Sequence, residues 1–426
     1  MNHRIDAGLA QGLIDPDFPA QIFAPECAGI TTSVQTDKGR VYVGSAYTNG
    51  NTLETGYLLF RLTDEGVLDE KFGHQGKTIG TFARGSQSSG YNVIQRSDGK
   101  FMVLGLTFTA IYTRKPALAR FNEDGTLDTT FADNGHFVIE QPGPAQRRTF
   151  NARLAMPMPL ATLPADIPQQ AWQMVDEDST FIVFGNYYDQ DLIVMMFDWE
   201  ANFVPSFNGT GYKYLERQGD GVVYGHSLFS DTDTLSICAT MRQPDFRDRD
   251  AFVVRLIRTG EYDSSFGNGG IADFPSMHTL KNFLVLPQDE RIIGCGASED
   301  GSGLLVALHK GDGSLDQRFK RTLIKHDGNN VRWDHVLAAS PGCKGSKLLA
   351  IGEMRIRAGN LPAIVGRFDS EGELDSFATQ TFALRRLTMV AGCNVDEQGR
   401  LLVHGQTQIP ERFNGYLLRL LTNVKT

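Results

Sequence analysis

Short apolar runs separated by polar turns recur along the whole chain. Some are nearly continuous, such as Phe101-Met102-Val103-Leu104-Gly105, Phe181-Ile182-Val183-Phe184-Gly185 and Leu348-Leu349-Ala350-Ile351-Gly352. That is the pattern of a strand covered on both faces. Before them stand shorter, mixed segments, such as Gly90-Tyr91-Asn92-Val93-Ile94-Gln95 and Val331-Arg332-Trp333-Asp334-His335-Val336-Leu337. A turn such as Ser97-Asp98-Gly99-Lys100 joins the two kinds. An Asp-Gly pair between apolar runs predicts a hairpin, because glycine takes positive φ at no steric cost. A loop of uneven length follows, then a third strand, as at 56–62, 251–256 and 362–368. Last comes an Asp-Gly-x-Leu-Asp-x-x-Phe phrase and a short fourth segment such as Gly76-Lys77-Thr78-Ile79-Gly80.

This order of segments repeats. The phrase is clearest at Asp64-Glu65-Gly66-Val67-Leu68-Asp69 to Phe72, at Asp124-Gly125-Thr126-Leu127-Asp128 to Phe131, and at Asp312-Gly313-Ser314-Leu315-Asp316 to Phe319. Weaker copies lead to Phe207, Phe266 and Phe377, and another opens the chain at Leu13-Ile14-Asp15 to Phe18. The copy before Phe207 has Asn202-Phe203-Val204-Pro205 where the clearest copies have Leu-Asp. A spacing of roughly 55–60 residues marks a repeat architecture. The small residue closing each second strand, at Gly44, Gly105, Gly185, Ala239, Gly296, Gly352 and Gly405, gives seven repeats again. Four antiparallel strands per repeat predict an all-β chain, a single seven-bladed β-propeller over residues 1–426. The chain starts with a phrase and ends with a third strand, 415–420, so residues 1–26 are expected to complete the last blade and leave no open sheet edge.

The phrases from Arg61-Leu62-Thr63 to Phe72-Gly73 and from Arg120-Phe121-Asn122 to Phe131 resemble the bacterial delta-60 repeat. That resemblance covers nearly the whole chain. It implies a propeller of largely unknown function and brings no catalytic residue.

Composition narrows the partners. A net charge of −9 argues against nucleic acid or anionic membrane. No run of about 18 apolar residues offers a membrane helix, and Met1-Asn2-His3-Arg4-Ile5-Asp6-Ala7 is no signal peptide. A cytoplasmic protein is expected, with export by a route lacking a cleaved signal left open. Cys27, Cys238, Cys295, Cys343 and Cys393 share no short spacing and read as buried free thiols rather than disulfides or a metal site. His404 reads as a core histidine. The acidic turns match no EF-hand loop, with a calcium role there left open, and no metal and no cofactor is expected.

The connections between second and third strands and between blades are long and varied, which assigns binding to their face. Arginines and aromatics gather there. Arg332, Trp333, Arg355, Arg385, Arg386, Trp172, Tyr224, His278 and Lys281 are the candidate ligand contacts. Guanidinium forks suit carboxylate or phosphate, and aromatic faces suit sugars. The expected partner is thus a small anionic or sugar ligand, against the plainer reading of solvated loop charges. His335, His226 and Asp334 are the candidates for acid–base work. Strand alternation puts Asp334 opposite Trp333 and His335, which argues against a neighbouring catalytic pair. Between Phe131 and Phe207 a Pro-rich insertion at about 141–168 forms an apolar strap, read as a lid or as a patch for a protein partner. A non-catalytic binding module leads. The alternative is a lyase, hydrolase or epimerase acting on an anionic carbohydrate or small metabolite.

Overall fold

The computed structural model describes residues 14–15, 17–18, 21–23, 26–48, 54–109, 113–143, 172–177, 179–187, 191–217, 221–243, 248–326, 328–340, 343–355, 363–375, 380–382, 388–396, 398–409 and 412–421. These form an all-β chain of antiparallel sheets, a seven-bladed β-propeller. After β1 (Gln21–Phe23), blade 1 is β2 (Cys27–Thr36), β3 (Gly39–Tyr47), β4 (Thr55–Leu62) and β5 (Lys77–Gly80). Blade 2 is β6 (Gln87–Gln95), β7 (Phe101–Thr109), β8 (Thr113–Phe121) and β9 (His136–Val138). Blade 3 is β10 (Gln173–Glu177), β11 (Thr180–Asn186), β12 (Leu192–Asp198) and β13 (Tyr212–Tyr214). Blade 4 is β14 (Val222–Ser230), β15 (Thr234–Arg242), β16 (Asp248–Ile257) and β17 (Ile271–Asp273). Blade 5 is β18 (Thr279–Leu286), β19 (Arg291–Ala297) and β20 (Gly303–His309). Its fourth strand shrinks to one bridge, Gly303 to Ile324. Blade 6 is β21 (Asn330–Ala338), β22 (Leu348–Arg355), β23 (Ala363–Phe368) and β24 (Gln380–Phe382). The last sheet runs β1, β27 (Arg412–Leu420), β26 (Leu401–Ile409), β25 (Thr388–Val395), so the N-terminal strand completes the seventh blade.

The chain groups into two compact units. One is Met1–Asn2, Ile22–Gln218 and Pro410–Tyr416; the other is His3–Gln21, Gly219–Ile409 and Leu417–Thr426. In the first, Val41, Val43, Leu59 and Phe72 of blade 1 pack on Val93, Phe101, Val103 and Phe121 of blade 2. In the second, Ile293, Leu305 and Phe319 of blade 5 pack on Val331, Trp333 and Ile364 of blade 6. Every residue of β4 is buried, including Arg61, whose guanidinium is paired with Asp69.

The recurring phrase is the link between neighbouring blades. Asp128 Oδ1 caps its own turn by accepting from the Thr130 backbone N–H, while Oδ2 accepts from Arg120 Nε at 2.8 Å and Lys100 Nζ at 2.8 Å. The Arg120 guanidinium lies 4.8 Å from the Phe131 ring centroid, and its Nη1 donates to Trp199 O of blade 3 at 2.9 Å. The same pair recurs as Arg61–Asp69, Arg255–Asp263, Arg367–Asp375 and Arg419–Asp15. In blade 5 Ala307 takes the arginine position, and Arg291 of β19 reaches Asp316 instead. In blade 3 the backbone bond survives between Val204 and Met196, and both charges are gone together. Burial alone would raise the Asp128 pKa, yet the bonds from Lys100, Thr130 and Arg120 outweigh it and hold the carboxyl below its usual range. The phenylalanine closes the joint. The Phe72 ring is fully buried against Gly125 of the next phrase, where a Cβ would come within 2.6 Å of the ring and φ is +82°.

Candidate functional site

The first strands of blades 1, 2, 4, 5, 6 and 7 are not regular. In blade 6, Trp333 pairs with Gly352 and His335 with Ile351, so Asp334 is an extra residue, a β-bulge. The extra residues elsewhere are Tyr91, His226, Lys281 and Ala391, with two such places, Ala28 and Thr31, in blade 1. In blade 6 the bulge explains the small residue that closes the second strand. At Gly352 a Cβ would lie 1.8 Å from the Arg332 carbonyl oxygen, so no side chain fits while the first strand swells there. The bulge also corrects the expectation drawn from alternation. An extra residue interrupts the two-residue period, so Asp334 cannot be assigned a face by counting from Trp333 and His335.

Around this bulge one guanidinium holds two carboxylates. Arg332 Nε donates to Asp334 Oδ1 at 2.7 Å, and Arg332 Nη2 donates to Glu353 Oε2 at 3.0 Å, across the register pair 332–353. The side chains are 19%, 11% and 7% exposed for Arg332, Asp334 and Glu353. Asp334 Oδ2 is buried with no hydrogen-bond partner among the described residues. Burial, with the Asp334 charge beside it, pushes the Glu353 carboxyl up to about 7, against the pull of Arg332, Lys281 and Arg355. Burial likewise holds the His335 imidazole below its ordinary value, opposed by the Asp334 charge and a hydrogen bond with the Val390 backbone.

The remaining candidates scatter. Trp333 packs edge-on to Phe368 at 5.9 Å between centroids, and Trp172 edge-on to Tyr187 at 5.1 Å. Both indoles are buried in blade cores and present no face to a ligand. Tyr224, His226 and Arg242 form a second group in blade 4. The Arg242 guanidinium sits 3.7 Å from the Tyr224 ring centroid, and His226 Nε2 bonds Thr240 Oγ1 at 2.8 Å. His278 stands just before β18, its N–H donating to Ala297 O. Arg355 is exposed at the end of β22. Arg385 and Arg386 lie outside the described residues, as does the strap from residue 144 onward and the closing segment up to residue 13. Cys27, Cys238 and Cys295 are buried free thiols, whereas Cys343 is exposed. Among the described residues no three His, Cys, Asp or Glu side chains are grouped to hold a metal ion, and no helix is long and apolar enough to cross a membrane.

Glu353 is the residue that sequence reasoning missed. Its signal was there. The second strands follow their small residue with Ser45, Leu106, Asn186, Thr240, Ala297 and Gln406, and blade 6 alone places a charge.

Comparison with known proteins bears on the fold. A family described as a domain of unknown function (DUF5122) β-propeller matches residues 96–131, which span β7, β8 and the phrase of blade 2. The match supports an uncharacterised β-propeller repeat family. No curated protein sequence matches the chain. Among solved structures, extracellular domains 1–2 of Drosophila Semaphorin 1a are similar with a TM-score of 0.51 and 10% identity, over 96% of this chain and 89% of that one. A glucose dehydrogenase is similar at 0.44 and 10%, over 95% of this chain and 100% of that one. The β-propeller domain of the trilobed protease from Pyrococcus furiosus is similar at 0.42 and 10%, over 94% and 100%. At these identities the likeness is one of fold.

Proposed function

We propose that the protein is a non-catalytic binding module of the delta-60 kind, whose anionic or polyhydroxylated ligand is taken at the strand ends around Arg332, Asp334, Glu353 and Lys281. One observation carries this reading: among the described residues the cluster occurs once. Scaffold ion pairs recur from blade to blade, as Arg120–Asp128 does. The positions equivalent to 332 and 353 hold Ser89 and Leu106, Tyr224 and Thr240, Thr279 and Ala297, and Met389 and Gln406. The same strands therefore fold without the charges. Taking a guanidinium and two carboxylates largely out of water costs several kcal/mol before any attraction is returned. A chain that keeps this arrangement in one blade only supports a use beyond stability.

The enzyme reading has its own observation. Two groups with displaced titration, Glu353 and His335, flank the same Asp334. Acid–base chemistry on a bound acidic sugar or small metabolite fits that arrangement.

A thermal-shift screen of the full chain against acidic sugars, nucleotides and phosphorylated metabolites tests the first reading, since a ligand specific to the folded chain raises its Tm. The expected hit disappears in Arg332→Met. Turnover of that compound, lost in Glu353→Gln with binding retained, moves the assignment to the enzyme. Silence across the panel favours a protein partner at the Pro-rich strap.

A further inference from the structure

We infer that this site binds its ligand by exchanging one acid for another: an incoming carboxylate or sulfate-like anion takes Glu353's place on Arg332 as Glu353 accepts a proton from water. The inference rests on the reading of the site given above and adds the ligand class and its regulation.

The geometry leads there. The charged groups acting on Glu353 are Asp334 and Arg332 of β21, Lys281 of β18, and Arg355 at the end of β22. With both acids ionised, a third anion would meet two negative charges in a poorly solvated place, where like charges repel strongly. With Glu353 neutral, Arg332 has lost the charge of one of the two carboxylates it holds, and an anion at that donor supplies it again. The two acids are not equivalent partners of the arginine. Asp334 is held by Nε at 2.7 Å from the adjoining stretch of its own strand, whereas Glu353 is held by Nη2 at 3.0 Å from the neighbouring strand. Glu353 is also the less exposed of the two, so its charge is the costlier to keep. Its position near neutrality agrees with this choice. A fifth of the Arg332 side chain is exposed to solvent. No covalent bond changes. One N–H···O contact moves from Glu353 to the ligand, and one proton moves from solvent to the Glu353 carboxylate.

Isothermal titration of the full chain with sodium glucuronate and sodium sulfate tests this, because neither probe titrates near neutrality. Affinity is expected to fall about tenfold between roughly pH 6 and pH 8, with close to one proton taken up per anion at the higher pH and almost none at the lower. The proton count comes from repeating the titration in buffers of different ionisation heat, so the wild-type chain alone suffices. Glu353→Gln, permanently neutral, is expected to bind at both pH values with the affinity the wild type shows in acid. Arg332→Met is expected to bind neither probe. Anion binding without proton uptake, or a Glu353→Gln protein that keeps the tenfold pH dependence, overturns the exchange and leaves the binding site standing. Absence of binding by the wild type at either pH overturns the exchange and the anionic form of the site together.

Discussion

Arg419 Nε donates to Asp15 Oδ2 at 2.7 Å, a contact between residues 404 positions apart in the chain. Asp15 N–H also donates to Arg419 O at 2.8 Å, Ile14 bridges Leu420, and the Arg419 guanidinium lies 4.6 Å from the Phe18 ring centroid. This is the joint of blades 1, 2, 4 and 6, assembled from residues near the two ends of the chain. Removing one partner of a buried ion pair leaves the other charge stranded. Asp15→Ala is expected to cost about 3 kcal/mol, read as a lowered urea midpoint. Deleting residues 1–26 is expected to remove cooperative unfolding altogether. A truncated chain with an unchanged Tm contradicts the role given to the N-terminal strand.

Blade 3 offers a natural test of the phrase as scaffold. Met196 and Val204 occupy the arginine and aspartate positions there. Val204→Asp alone is expected to destabilise the chain by about 1–2 kcal/mol, since Met196 stands where the other phrases have their arginine. Adding Met196→Arg is expected to return at least about 1 kcal/mol, a coupling measured by the double-mutant cycle. Additive effects from the two changes contradict the pairing.

The bulge at Asp334 depends on a missing side chain. Gly352→Ala puts a methyl group 1.8 Å from the Arg332 carbonyl oxygen, so the first strand must move. A loss of about 2–4 kcal/mol is expected, together with any ligand affinity at Arg332. Gly311→Ala is the control, because a Cβ there meets nothing within 4 Å. Its urea midpoint is expected to match the wild type.

Glu353 makes stability fall as pH rises. Its folded pKa of about 7 stands above the ordinary value of 4.5, so the folded chain holds the proton more tightly than the unfolded chain. The stability this group contributes is complete below about pH 4.5 and is lost as pH rises through about 7, in total about 3 kcal/mol. Glu353→Gln is expected to lack that part of the slope. The check is urea unfolding of both proteins across this window.

The fold was readable because it rests on period and residue type. Leu127, Asp128 and Phe131 belong to one phrase, and its Asp–Arg pair recurs in blades 1, 4, 6 and 7. The site was only partly readable. Arg332, Asp334 and Lys281 stood out by charge, but their grouping depends on a register event at Trp333 to His335 that no two-residue count can place. Trp172 and Trp333 looked like stacking platforms, yet the gap beside Gly185 that Trp172 fills, and the blade core that Trp333 joins, are properties of packing. Glu353 was passed over because it ends an apolar run, although its charge is what distinguishes blade 6.

The assignment of the site to blade 6 is tested most directly by hydrogen–deuterium exchange on the full chain, with and without the strongest ligand from the thermal-shift panel. Protection is expected in the strand ends around Thr279–Leu286, Asn330–Ala338 and Leu348–Arg355, and it is expected to vanish in Arg332→Met. Protection confined to the Leu-Asp-x-x-Phe turns, or unchanged in Arg332→Met, contradicts the account.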